Sequence, residues 1–133
     1  MNKVFLGGTC NNSKWRKELI DNLDLNNIDY FNPVVINWTP ECMKEELKQR
    51  EICDFCLYVI TPLMTGVYSI AEVVDDSNKN PEKTLFCVLK EDSGKSFDKG
   101  QMKSLEQVKE MVKRNGGKVF ESLSEIASFL NTV

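Results

Sequence analysis

Phe55-Cys-Leu-Tyr-Val-Ile60 is an uncharged apolar run closed by Thr61-Pro62. A strand with one wet face alternates apolar and polar residues, whereas an unbroken apolar run fits a strand covered on both faces, as in a parallel sheet. A second such run, Thr84-Leu-Phe-Cys-Val-Leu89, follows, and the segment between them reads as a helix carrying Glu72. Two buried strands joined through a helix predict a parallel crossover rather than a hairpin.

The same alternation extends in both directions. Upstream, Val4-Phe-Leu6 is a short strand ended by Gly7-Gly8-Thr9, and Asn11-Asn-Ser13 is expected to cap a helix through Trp15, Leu19, Ile20 and Leu23. Ile28 to Ile36 has strand character, with Pro33 restricting it to an edge or an interruption. Thr39-Pro40-Glu41 then places a capping hydroxyl, a proline at the first helical position and an acid in the first turn of a helix reaching about Ile52.

Downstream, the polar stretch Lys90 to Gly100 is expected to be a mobile loop. A helix from about Met102 to Asn115, a Gly116-Gly117 break, a strand Lys118-Val-Phe120 and a last helix opened by the capping box Ser122-Leu-Ser-Glu125 complete the chain. Five strands alternating with five helices predict one α/β domain over residues 1–133. Its sheet should be doubly wound, mostly parallel and five-stranded, in a flavodoxin-like three-layer sandwich of order 2-1-3-4-5. Ligands of such sheets bind beyond the carboxyl ends of the strands, where Gly7 to Asn12 and Thr61 to Ser69 would lie.

Composition narrows the function. Hydrophobic residues make up 41% and charged residues 28% of 133, which fits an ordinary folded chain. A net charge of −3 without Lys/Arg clusters longer than two argues against a nucleic-acid polymer as partner. The apolar runs are too short to span a membrane, and Met1-Asn-Lys leads into a strand rather than a signal sequence, so a cytoplasmic location is expected. Five cysteines, an odd count, fit free thiols; Cys53-Asp-Phe-Cys56 has C-x-x-C spacing, but without histidine or a second pair no metal is expected, nor any other cofactor.

Several residues at the expected mouth carry two readings. Gly7, Gly8 and Thr9 either admit a ligand close to the main chain or simply make a tight strand-to-helix turn. Ser69 and Glu72, three apart, share a helix face and either meet one ligand or cap the helix, with Gly66 as a flexible approach and Tyr68 adding a hydroxyl. Asp54 alone reads as a solvated loop residue, Asn32-Pro33 as either a ligand contact or a turn, and Trp15 and Trp38 as stacking surfaces or core.

Together "VFLGGT", "YFNP", "CDFCLYVITP" and "GVYSIAE", in that order over roughly residues 3 to 90, make the chain resemble the nucleoside 2-deoxyribosyltransferase-like proteins, a family that includes deoxyribosyltransferases and deoxynucleoside 5′-monophosphate N-glycosidases. The resemblance implies Glu72 as nucleophile on the sugar and Asp54 as its acidic partner, with Gly7, Gly8, Thr9, Asn32, Gly66, Tyr68 and Ser69 around a nucleoside or nucleotide. Deoxyribosyltransferases complete their site with a neighbouring subunit, and helices that cover a five-stranded sheet incompletely leave an apolar face, so a homodimer or larger homo-oligomer is expected. Val74 stands where these enzymes commonly have glycine, and Gly66 is followed by the bulky Val67 and Tyr68, which implies a differently shaped pocket. The functions in competition are glycosidic transfer or hydrolysis, nucleotide binding without turnover (an ADP-ribose-type signal among the candidates), and cleavage of NAD in the manner of a TIR domain.

Overall fold

A computed structural model describes residues 1–133. The strands β1 (Asn2–Gly8), β2 (Ile28–Phe31), β3 (Phe55–Ile60), β4 (Thr84–Val88) and β7 (Lys118–Phe120) form one parallel sheet in the order β2-β1-β3-β4-β7. A small antiparallel ribbon of β5 (Glu91–Asp92) and β6 (Lys95–Ser96) is inserted after β4. With the ribbon set aside, this is the expected flavodoxin-like order.

Alternation along β1 shows how the layers arise. Val4 and Leu6 face a core shared with Trp15, Leu19, Ile126 and Leu130 from α1 (Trp15–Asp21) and α5 (Leu123–Asn131). Phe5, one residue out of phase, faces a second core with Tyr58, Val73, Phe86, Leu105 and Val112, contributed in part by α3 (Tyr68–Lys79) and α4 (Lys99–Asn115). Phe55 to Ile60 and Thr84 to Val88 are covered on both faces, as their unbroken apolar runs require.

α2 (Pro40–Ile52) begins as its sequence predicts, with the Cys42 N–H donating to Thr39 Oγ1 at 3.3 Å and Pro40 at the first helical position. Yet Gln49 is its only buried residue, while Met43, Leu47 and Ile52 are exposed. The helix therefore lies against the fold without an apolar seam, so most of what holds it must be polar.

Three local expectations are corrected. β2 is an edge strand but stops at Phe31; Pro33 ends the pairing and Val34 to Ile36 form an exposed loop. Asn11 and Asn12 do not cap α1: both have positive φ, and the Ser13 hydroxyl donates to Asp92 while accepting from the Trp15 N–H only at 3.5 Å. The polar loop from Lys90 is the β5–β6 ribbon, turned by Ser93 and Gly94, both at positive φ, and fastened to the start of α1 through that Asp92–Ser13 bond.

Candidate active site

The glycine pair has two separate reasons to be glycine. Gly7 lies beside Tyr58 in the sheet register, and a Cβ there would come within 2.7 Å of the Tyr58 ring. Gly8 has φ +115°, and a Cβ there would lie 2.1 Å from the Val59 carbonyl oxygen. The missing side chains thus make room for the Tyr58 ring and the Val59 main chain, as a tight turn requires, while the main chain of Gly7 and Gly8 also floors a cavity. Gly8→Ala is expected to destabilise the protein by about 2–4 kcal/mol, from left-handed strain plus the clash, as read by denaturant unfolding.

Above this floor lies a cavity of about 270 Å³, lined by Gly7, Gly8 and Phe5 of β1, Arg16 of α1, Glu46 of α2, Ser69 and Glu72 of α3, and Trp38 with Val34 in the loop before α2. It opens at the carboxyl ends of β1 and β3, the expected crevice. Val34 and Trp38 are there because β2 ends early and its continuation turns over the mouth.

Glu72 points into this cavity free of a capping role. The helix starts at Tyr68 behind Val67, with no side-chain cap, so Ser69 and Glu72 are both inside it and the capping-box alternative is not realised. The Glu72 side chain is 17% exposed, and its Oε2 lies 3.9 Å from Arg50 Nη1, beyond hydrogen-bond length. Burial raises its pKa to about 7; Arg50 opposes that shift, and Asp76 and Glu46 add to it. Burial outweighs the arginine because the guanidinium is committed elsewhere.

That commitment is the buried network beneath the cavity. Arg50 Nε donates to both Asp76 oxygens at 3.1 Å, Nη2 donates to Asp76 Oδ1 at 2.7 Å and to Asp75 Oδ2 at 3.1 Å, and the Tyr58 hydroxyl donates to Asp76 Oδ2. Burial works against the Arg50 cation, but hydrogen bonding to Asp76 prevails and holds its pKa above the ordinary value. Burial and the Asp76 bond push the Tyr58 phenol up, so it stays a donor. Glu46, the other carboxyl of the cavity, is raised by burial, with Arg16 opposing.

The structure gathers Gly7, Gly8, Ser69 and Glu72 around one space and distributes the other expected site residues elsewhere. Gly66, Tyr68 and Thr9 border a neighbouring cleft that shares Gly8 and Ser69, where Thr9 Oγ1 accepts from the Thr61 N–H at 3.0 Å and ties β1 to the end of β3. Asn32 lines a separate cavity beside the first, its Oδ1 accepting from the Val34 N–H at 3.0 Å.

Asp54 is not brought to the site. It precedes β3, at the amino end of a parallel sheet whose crevice lies at the carboxyl end, and its Oδ2 accepts from the Lys3 N–H at 2.8 Å while its own N–H donates to Lys3 O at 2.9 Å. It fixes the register of β1 on β3. Asp54→Ala should cost about 1 kcal/mol of stability and leave turnover near wild type; a loss of turnover without unfolding would contradict this placement.

Arg16, Glu46, Arg50 and Asp76 were not singled out by sequence, because a charged residue on a helix reads as solvated until its neighbours are known. The five cysteines are free; Cys53, Cys56 and Cys87 are buried, and burial pushes the Cys56 and Cys87 thiols up to about 12. No group of three or more His, Cys, Asp and Glu is arranged to hold a metal ion. No helix is long and apolar enough to cross a membrane.

A flavodoxin-like sheet with a cavity at its switch point, walled by glycines, two aromatics and two carboxyls, is the place where α/β proteins of this class take a small organic ligand. Residues 1–91 match the family model described as nucleoside 2-deoxyribosyltransferase like, and the chain belongs to that family. The matched span contains every residue lining the Glu72 cavity and gives the protein a nucleoside-related role. No curated protein matches the chain.

Proposed function

We propose that the chain is an N-glycosidic enzyme acting on a nucleoside or nucleotide, with Glu72 as nucleophile. The observation that carries this reading is a largely buried carboxylate of raised proton affinity in the same cavity as the bare main chain of Gly7 and Gly8. Such a floor admits a sugar ring close to the backbone, and Trp38 offers a face for the base.

The ionised Glu72 oxygen bonds to the anomeric carbon as the carbon–nitrogen bond breaks, and the bonding pair leaves with the base. Glu46, the second carboxyl lining the cavity, is the group that would hand the departing base its proton in this reading. Water then attacks the glycosyl ester, or a second base does, releasing the Glu72 carboxylate and returning a proton to Glu46. Water as acceptor makes the enzyme a hydrolase; a base makes it a transferase.

Chromatography of free base released from ribo- and deoxyribonucleosides, their 5′-monophosphates and NAD tests the reading. Free base from at least one substrate is expected, and added acceptor base separates exchange from hydrolysis. Tight nucleotide binding by folded protein with no base released would replace it with the binding-module reading.

The whole chain, 1–133, acts in this reading as one domain and as a homo-oligomer. Met43 and Leu47 of α2, with Ile36, Trp38, Val67 and Tyr68 around the mouth, expose apolar surface that a second copy would cover. Light scattering should give at least twice the 15.2 kDa chain mass; a monomer at assay concentration would remove the shared-interface part.

A further inference from the structure

Arg16 is a buried cation without an anion. The residue is 7% exposed, and none of the chain's ion pairs includes it. Its guanidinium is held by neutral groups: Nε donates to Leu6 O at 3.0 Å, Nη1 to Thr9 O at 2.7 Å and Nη2 to Gly8 O at 3.3 Å, with the Trp15 ring centroid 4.5 Å from Cζ. Of the five N–H donors of a guanidinium, two therefore remain unspent.

Burying an unneutralised charge is costly, and here burial lowers the Arg16 pKa to about 10 against weak opposition from the Cys10 thiol and Glu46. Carbonyl oxygens hold the fork rigid without cancelling its charge. That arrangement suits an anion supplied from outside.

The position of the fork says where the anion would sit. Arg16 lines the Glu72 cavity and also a second cavity of about 520 Å³; Cys10, Val34 and Val35 are the other residues common to both. Beyond it the second cavity presents Lys14 and Asn32. Lys17 on the same helix is already paired with Asp21 at 2.7 Å, which leaves Lys14 as the further cation.

We propose that Arg16 binds the phosphates of a diphosphate-bridged nucleotide, whose glycosidic end enters the Glu72 cavity and whose other end occupies the second cavity beside Lys14 and Asn32. This rests on the glycosidic reading for which end enters which cavity, but the anion site itself does not need turnover.

The test is a binding ladder on Glu72→Gln, in which the proposed cleavage is blocked: adenosine, AMP, ADP-ribose and NAD by calorimetry. AMP should bind about 10- to 100-fold more tightly than adenosine, the scale of a charge-assisted hydrogen-bond pair, and ADP-ribose or NAD more tightly again. Arg16→Lys, which keeps the charge and loses the fork, should collapse the first step, and Lys14→Gln should reduce the second.

Equal affinity for adenosine and AMP, or a preference for AMP that survives Arg16→Lys, overturns the anion site; equal affinity for AMP, ADP-ribose and NAD overturns the bridged ligand. Should Arg16→Lys fail to fold, the ¹⁵N resonances of Nε in the three arginines, Arg16, Arg50 and Arg114, decide the matter in otherwise intact protein. Arg16 Nε should shift with AMP and not with adenosine; an unmoved resonance overturns the proposal, leaving Glu46 as the partner of that charge. Because the ladder reads binding, absence of free base in the chromatographic assay would refute the glycosidic reading and leave the anion site standing.

Discussion

Glu72→Gln is expected to lower base release by at least about a thousandfold, the scale seen when a covalent nucleophile is removed, while the protein stays folded. The amide keeps the shape of the side chain but has no electron pair suited to attack the anomeric carbon. In the wild type, attack needs the ionised form, so kcat/KM should rise with pH through about 7, where burial has placed this carboxyl.

Stability should move the opposite way. A carboxyl whose folded pKa is raised binds more protons folded than unfolded between its ordinary value of 4.5 and about 7, so its contribution is favourable below that window and is lost as pH rises through it. Glutamine has no such charge to bury. At pH 8 the variant should therefore unfold at equal or higher denaturant than the wild type, by about 1 kcal/mol after allowance for solvent screening. A variant that retains base release, or loses it only by unfolding, would remove Glu72 as nucleophile.

Asp76→Ala should be the most damaging single substitution to stability, at about 3–5 kcal/mol, the usual effect of removing one member of a buried ion pair. Three elements meet on this carboxylate: Arg50 from α2, Tyr58 from β3 and Asp76 itself from α3. Without it the guanidinium is left with Asp75 and the distant Glu72, and the Tyr58 hydroxyl loses its acceptor.

The same change reaches the cavity. Asp76 raises the Glu72 pKa and Arg50 lowers it, so removing Asp76 and freeing Arg50 act in the same direction. The acid limb of the pH profile should shift to lower pH in the milder variant Asp76→Asn, measured below its unfolding temperature. An unchanged limb would mean that Arg50 does not turn toward Glu72.

The sheet was legible because its central strands carry their burial in their composition. Phe55 to Ile60 and Thr84 to Val88 are apolar almost throughout, and Thr39-Pro40 marks a helix start. Pro33 correctly marked the edge, but the apolar Val34-Val-Ile36 suggested a longer strand than its broken hydrogen-bonding allows. Ser93-Gly94 was a two-residue turn signal within a stretch read only as polar.

The candidate site was legible where backbone geometry decides it, at Gly7, Gly8 and the start of α3. The residue pattern read Asp54 as a loop residue and only the resemblance set it beside Glu72, whereas parallel topology places a residue preceding β3 at the end of the sheet away from the crevice. It was silent for Arg16, Glu46 and Arg50, since nothing local separates a lysine or arginine that snorkels from one that stays inside. Their roles come from residues that are distant in sequence, such as Asp76 for Arg50.

α2 supplies one wall of the cavity through Glu46, yet it buries only Gln49 and hangs chiefly on the Arg50 fork. Its local opening free energy must then lie well below that of β3 or β4, so its amides exchange with solvent while the sheet remains closed. Covering Met43 and Leu47 with a second copy would remove that fraying. The shape of the pocket, and with it the alignment of the proton donor, would thereby become a function of protein concentration.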